Sequence, residues 1–479
     1  MQWSTFQQNI FTFFDEQPQR NFIVNSCPGS GKSATARQLC LQTGEEMLYL
    51  AFNKAIVEDF KSKVSRGGLS VDTFNAYGHR MLFQRYGKKL HINRFKVHDI
   101  IDDLYKGFFK AMGHKYGPTA KQDLAHLVRL AKGSVALEAT AIVQLQEMYD
   151  IKGYAGIVQH TLAVLEENVQ QLPEIDFDDQ LLLPVQLQLQ TFPVREVVID
   201  EAQDMNPAKM KLIQAIVQQH KARVGFIGDK HQAIYGFTGA CYNSMEQLQQ
   251  QFDCVELPLT LSYRCPKLVV AEAQKFFPED IAALDDAPEG LVREMKNGEE
   301  YSVFTLVLCR LNAPLVQKAY ELLRQRIPVR IEGREFGRNL LRFIKQLDGN
   351  TVQSMLKSLD EWYAWEAAQA QGKGLRDEAL QEKLAQLGDK AQTVRAFADM
   401  AESNSLEVLY STVDNLFEQD YGVLLSSMHR AKGLEAKKVV LLKWELCPSP
   451  WAKTVEQKLQ ERNLQYVAVT RSLDELVYG

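Results

Sequence analysis

The run Asn25-Ser26-Cys27-Pro28-Gly29-Ser30-Gly31-Lys32-Ser33 constrains this chain more than any other stretch. It follows apolar Phe22-Ile23-Val24, which predicts a buried strand, and precedes Ala34 to Leu39, which predicts the start of a helix. Strand, Gly-rich loop and helix are the context a phosphate-binding loop requires. The glycines let backbone N–H groups turn inward around a polyphosphate, and the helix N-terminus adds positive potential. Lys32 is then placed to neutralise the outer phosphates, and the Ser33 hydroxyl to ligate Mg²⁺. Ser26 stands where the pattern asks for Gly, and a small side chain still fits there. A plain Gly/Ser-rich turn with a solvated lysine is the competing reading, and the flanking strand and helix signals disfavour it.

A chain of 479 residues has room for about two to four domains, and 46% apolar residues is ordinary for a globular protein. Charged residues interrupt every apolar run before it reaches the length of a membrane span. The opening Met1-Gln2-Trp3-Ser4 lacks a basic region followed by an apolar core, so no secretory signal is expected. The seven cysteines are scattered without a Cys-x-x-Cys pair, which predicts a reduced, cytoplasmic protein without structural zinc. A net charge of −5 does not advertise nucleic-acid binding, but a local basic groove matters more than the total.

Along the chain, Phe6 to Phe14 has a helical rhythm, with Gln7 near its start. An amide there offers both donor and acceptor to an adenine edge, although on spacing alone a solvated glutamine is the favoured reading. Met47 to Phe52 and Leu69 to Phe74 predict further strands, separated by a helix ending near Val64. Strands alternating with helices predict a parallel sheet, whose ligands meet the strand C-terminal ends. Phe52, Asn53 and Thr73 fall at such ends. From about 78 to 190 the pattern is helical throughout, and Asp176-Phe177-Asp178-Asp179 within it reads as a helix cap or as a loop near a metal. The strand rhythm returns at Glu196-Val197-Val198-Ile199, followed by Asp200-Glu201. There Asp200 suits a water-mediated hold on Mg²⁺, and Glu201 suits activation of an attacking water.

Val224 to Ile227 predicts another strand, leading to Gln232 as a γ-phosphate sensor and to Tyr235 and Phe237 as stacking rings. Tyr263 and Arg264 are candidates for base stacking and γ-phosphate contact. A second α/β layer is expected from Val303 to Ile331, without a phosphate loop of its own. Residues from about 337 to 418 are again helical, with Trp362 and Trp365 on one face. The sheet resumes at Gly422 to Met428, and the basic loop His429-Arg430-Ala431-Lys432 and the strand Lys438 to Leu442 follow. Asn463 to Arg471 predicts a helix carrying an arginine, suited to an arginine finger.

Six blocks in order resemble superfamily 1 helicases of the UvrD/Rep/PcrA type. They are Ser26 to Ser33, Val198 to Asp204, Gly228 to Tyr235, Ser262-Tyr263-Arg264, His429 to Glu435, and Tyr466 to Arg471. Leu50 to Ile56 is similar to the F-box DNA helicase branch. The resemblance implies a P-loop NTPase of class α/β, with two RecA-like parallel-sheet domains and two helical insertions. The expected division is 1–77 plus 190–285 for the first domain, with 78–189 inserted. The second takes 286–336 plus 419–479, with a small insertion at 337–418. It further implies ATP and Mg²⁺ as cofactors. Gln7 would contact adenine, with Gln8 as the alternative, and Tyr263 would stack on the base. Ser26, Cys27, Pro28, Gly29, Ser30, Gly31 and Lys32 would cradle the phosphates, with Ser33 and Asp200 at the metal. Lys32, Gln232, Arg264 and Arg471 would surround the γ-phosphate, and Glu435 would hold the ribose. Phe52, Asn53, Thr73, Tyr235, Phe237 and His429 would line a single-strand groove.

Departures from the family pattern are Phe237 for a frequent tryptophan, Asn75 for a histidine, Arg430 for a serine, and a much shortened second insertion. The expectation is a monomeric 3′→5′ motor on single-stranded or tailed duplex DNA, serving repair, recombination or defence. A translocase that works with a nuclease or other partner and unwinds little alone is the alternative. A nucleotide kinase and a non-hydrolysing scaffold are the rivals from other classes.

Overall fold

In the computed structural model, the described residues are 3–149, 151, 153–234, 243–372 and 377–479. Tyr235 and Phe237 lie outside them. The chain divides into two compact units, Met1–Ser26 with Gly31–Thr260, and Cys27–Ser30 with Leu261–Gly479.

The first unit is built on six strands: β1 (Phe22–Ser26), β2 (Met47–Ala51), β3 (Leu69–Thr73), β4 (Glu196–Ile199), β5 (Arg223–Gly228) and β6 (Val255–Leu259). They run parallel in the order β3-β2-β4-β5-β1-β6. Strands β1, β2, β4 and β5 are buried along their whole length. Both faces are therefore covered by helices, as an all-parallel sheet requires. The sheet order brings β1 beside β5, and β4 beside both β2 and β5. Every strand C-terminus consequently opens on one edge, although about 200 residues of sequence separate the first from the last. The expected third strand is shorter than its apolar run. It ends at Thr73, whose hydroxyl accepts from the Ala76 N–H at 3.1 Å, so Phe74 is already the first residue of a helix.

The segment after Thr73 is helical apart from a two-stranded pair, His91–Ile92 with Glu174–Ile175. The acidic run within it is not a metal loop. Lys132 Nζ lies 2.6 Å from Asp176 and 2.8 Å from Asp179, and Lys96 Nζ lies 3.1 Å from Asp179. Both lysine side chains are fully buried. The carboxylates are spent on neutralising them, and Asp176 also accepts from the Asp179 N–H at 2.8 Å to start the next helix.

The second unit carries β7 (Leu291–Glu294), β8 (Thr305–Cys309), β9 (Val329–Ile331), β10 (Val423–Ser427), β11 (Ala436–Leu441) and β12 (Ser472–Tyr478). These are again all parallel, in the order β7-β12-β11-β8-β10-β9. Helices Val352–Gly372, Asp377–Ala401 and Leu406–Glu418 form its helical part. Their apolar residues join the sheet's core rather than making one of their own, with Met355, Phe397 and Val413 beside Val329 and Leu425. Trp362 packs on that core, whereas Trp365 is half-buried.

Candidate nucleotide and nucleic-acid sites

The phosphate loop has the predicted local form. Gly29 and Gly31 sit at φ +73° and +86°, a region costly for any residue with a Cβ, and Lys32 is the first residue of the Lys32–Gln42 helix. A Cβ at Gly29 would overlap Arg264 Cβ, so this position needs glycine for closeness as well as for angle. Ser26, the departure from the pattern, is buried and donates to the Gly228 carbonyl at 2.6 Å, stitching β1 to β5. A glycine could not make that bond.

The loop residues fit a polyphosphate. Ser30 is fully buried, and its hydroxyl has no hydrogen-bond partner among the described residues. Such an orphan costs about 1–3 kcal/mol unless an acceptor arrives. Mg²⁺ is commonly held by one or two carboxylates together with substrate phosphates and water, which suits Ser33 and Asp200.

Gln7 is buried beside the loop. Its Oε1 accepts from the Ser4 N–H at 3.1 Å in a capping box, and its Nε2 donates to Thr35 Oγ1 at 3.1 Å. A Cβ on Gly31 would stand 3.1 Å from that Nε2. Gln8 is exposed and bonds the Trp3 carbonyl at 3.2 Å, so of the two glutamines Gln7 borders the loop.

Asp200 is buried at the end of β4. It accepts from the Tyr49 hydroxyl at 2.7 Å and from the Glu201 N–H at 2.9 Å. Burial, and then the neighbouring Glu201 charge, push its carboxyl up to about 6. Glu201 adopts a left-handed backbone, φ +53°, just past the end of β4. Gln203 holds the Glu201 carboxylate through Nε2 and accepts from the Asp229 N–H at 3.0 Å. Asp229 in turn accepts from Gln232 Nε2 at 2.7 Å. A continuous chain of hydrogen bonds therefore runs from the proposed base, Glu201, to the proposed γ-phosphate sensor, Gln232. Tyr49, Gln203 and Asp229 were not assigned roles from sequence. The last two lie inside the recognised motifs, but Tyr49 carries no sequence signal beyond its place in an apolar strand.

On the same edge of this sheet, Phe52 is exposed under Lys209, whose Nζ lies 4.1 Å from the ring centroid. Asn53 and Thr73 follow β2 and β3 there, and both cap helices, Asn53 accepting from the Ile56 N–H at 2.9 Å. Their side-chain oxygens are thus engaged in local structure.

In the second unit the candidate residues separate to opposite edges of the sheet. At the edge where strands begin, Arg264 Nε pairs with Glu435 at 2.8 Å. The two were assigned separately to phosphate and ribose, and here they hold each other. Tyr263 is exposed. Arg471 does not lie on a helix as expected. The helix is Val455–Val469, Thr470 caps it, and the arginine leads into β12. Its guanidinium is buried and donates to the Val467 carbonyl at 2.9 Å, the Leu434 carbonyl at 3.4 Å and Thr470 Oγ1 at 3.0 Å.

At the edge where strands end, His429 and Arg430 follow β10, and Arg310 follows β8. Arg310 forms a two-pronged pair with buried Glu461, at 2.8 and 2.6 Å. Burial, then the Arg310 charge, lower the His429 ring to about 4, so it is neutral at pH 7. The crossover from His429 to Glu435 carries the chain back across the sheet in a few residues, bending at left-handed Gly433, φ +85°. One short loop thus joins the two candidate groups.

The family model for the UvrD/REP helicase N-terminal domain matches residues 3–253, and that for the UvrD-like helicase C-terminal domain matches 340–478. The ATP-dependent DNA helicase Rep of Salmonella typhimurium is 26% identical over 283 residues, 52% of this chain and 40% of that protein. The F-box DNA helicase protein 1 of Schizosaccharomyces pombe is 26% identical over 304 residues, 59% of this chain and 33% of its own length. These matches therefore span less than half of either relative. Among solved structures, an Arterivirus nonstructural protein 10 helicase with DNA aligns over 97% of this chain and 61% of its own, at TM-score 0.36 and 11% identity. With its N-terminal match alone covering more than half of the residues, and a C-terminal match following it in order, this chain belongs to the UvrD/Rep helicase family.

Proposed function

We propose that the protein is a DNA-stimulated ATPase that moves 3′→5′ on single-stranded DNA and separates strands as it goes. The hydrogen-bonded chain Glu201–Gln203–Asp229–Gln232, starting beside the phosphate loop, is the observation that carries this reading. Lys32 and the loop N–H groups bind the triphosphate of ATP, with Gln7 at the base. Glu201 orients and deprotonates the attacking water, and Asp200 and Ser33 would hold Mg²⁺, which would neutralise charge on the phosphates. Gln232 reads the γ-phosphate and passes its presence to Glu201 through Asp229 and Gln203. Arg264 and Arg471 act on the same phosphate. Arg264 does so by exchanging the Glu435 carboxylate for a phosphate oxygen, which frees Glu435 for the ribose. Arg471 exchanges the Leu434 carbonyl. Both exchanges pull on the loop that ends at His429, and loss of phosphate reverses them. Phe52, Asn53, Thr73, Tyr235, Phe237 and neutral His429 grip the strand by stacking and hydrogen bonding.

ATP turnover is expected to rise strongly with single-stranded DNA and to vanish in Lys32→Ala. Turnover that ignores DNA and moves phosphate to a small acceptor would instead support a kinase. Displacement on 3′- and 5′-tailed duplexes then reads direction. Translocation without displacement would favour the second reading, a motor that works with a nuclease or other partner. The shortened helical part, whose core merges with the sheet, supports that reading.

A further inference from the structure

The Arg334–Ile344 helix leaves the second sheet directly after β9, starting from left-handed Gly333, φ +110°. One face is core: Gly337, Leu340, Leu341 and Ile344 are buried. A flanking face carries Arg334, Arg338 and Arg342, with Lys345 just beyond, and all four are exposed, as is Glu335 beside them. At about 100° per residue these cations fall within roughly 80° of arc, and successive arginines stand about 6 Å apart along the axis. Like charges at this spacing destabilise a helix rather than support it. Arg334 shares an exposed ion pair with Asp420 at 2.8 Å. Arg338 Nε bonds the Arg334 carbonyl at 3.4 Å, and Arg342 bonds Asn339 at 3.1 Å. The stripe continues into the His429–Arg430 turn: the Arg430 guanidinium lies 4.4 Å from the Phe336 ring centroid, and a Cβ on Gly333 would stand 3.2 Å from Arg430 Cδ.

We propose that this stripe binds the phosphate backbone of duplex DNA at the junction with the single strand, an inference that rests on the function proposed above. Three arginines over about 12 Å match three to four phosphates of one duplex strand, spaced about 3.4 Å along the axis. The helix's own rings pack inward, Phe336 against Phe417 and Phe343 against Trp362, whereas Tyr421, next in sequence to Asp420 at the Arg334 end of the stripe, is exposed. Arg338 and Arg342 carry the stripe about one and two turns further along the helix, and a regularly spaced row of cations suits the regular backbone of a duplex.

The test is Arg338→Gln/Arg342→Gln in the full chain, with Arg338→Lys/Arg342→Lys as the charge-conserving control. Affinities for blunt duplex and for an unstructured single strand are measured from 50 to 200 mM salt. The glutamine variant is expected to lower the log–log salt slope on duplex by about 2, at about 0.9 per phosphate contact. The duplex affinity lost across that salt range then shrinks by about 12-fold. Single-strand affinity and strand-stimulated ATP turnover stay at wild-type values, and the lysine variant restores the slope. An unchanged duplex slope overturns the proposal, as does an equal fall on single strands. Strand-stimulated turnover by the wild type tests the underlying function separately, so the two readings fail independently.

Discussion

Asp200→Asn is expected to make the ligand-free protein more stable while abolishing hydrolysis. The carboxyl is buried and its pKa stands at about 6 against 3.8 in a solvated chain. Between those values the folded state binds more protons than the unfolded state, so stability falls as pH rises through the window and stays low above it. Two pH units correspond to about 3 kcal/mol. The amide keeps one acceptor where the carboxylate had two, for Tyr49 and for the Glu201 N–H, which returns about 1 kcal/mol. The net gain of about 2 kcal/mol converts to roughly 4 °C in melting temperature. Thermal melts of both proteins without nucleotide or metal, from pH 4 to pH 8, read it directly. The variant's advantage should open between pH 4 and 6 and then plateau. Mg²⁺ with a non-hydrolysable ATP analogue should raise the wild type selectively, since a cation beside Asp200 favours its anion. A variant that melts below the wild type at pH 7.5, or a gap that does not change with pH, would refute the reasoning.

Two further outcomes are expected. Lys132→Met removes one of two buried cations facing Asp176 and Asp179, and should cost about 3–5 kcal/mol in denaturant unfolding, because it strands buried carboxylate charge. His429, held at about 4 in the fold, takes up protons more readily when unfolded, so its contribution to stability is present above pH 6.5 and lost as pH falls toward 4. His429→Gln should flatten that acid limb in melts, and leave the salt dependence of DNA binding at pH 7.5 unchanged, since the neutral ring releases no counterion.

The form of the Gly-rich loop was legible because contiguous residues set it. Gly31 and Lys32 owe their backbone form to their immediate neighbours, which strand–loop–helix punctuation reports, whereas the close approach of Arg264 to Gly29 comes from far along the chain. Thr73 and Asn53 were legible as strand ends, but their capping bonds depend on where the following helix starts. Arg471 was misplaced by one structural element, because the apolar run Tyr466 to Val469 continues the helical rhythm without marking its end. The acidic run at Asp176 was ambiguous because its partners, Lys96 and Lys132, lie some 80 and 44 residues away. No local pattern marks those lysines as buried.

From sequence alone came the family, two parallel-sheet halves, and the strand–loop–helix form of the Gly-rich stretch. Each rests on short-range order: backbone angles that glycine permits, and side-chain periods that expose or bury a strand. Strand order and register were decided only in the folded chain. They set Tyr49 beside Asp200 across 151 positions, and they join Glu201 to Gln232 through Gln203 and Asp229. They also sent one crossover loop from His429 to Glu435 and turned a row of arginines outward on the helix after β9. Pairings of that kind depend on which strands lie side by side, and adjacency in a sheet carries no signature in the spacing of residues along a chain.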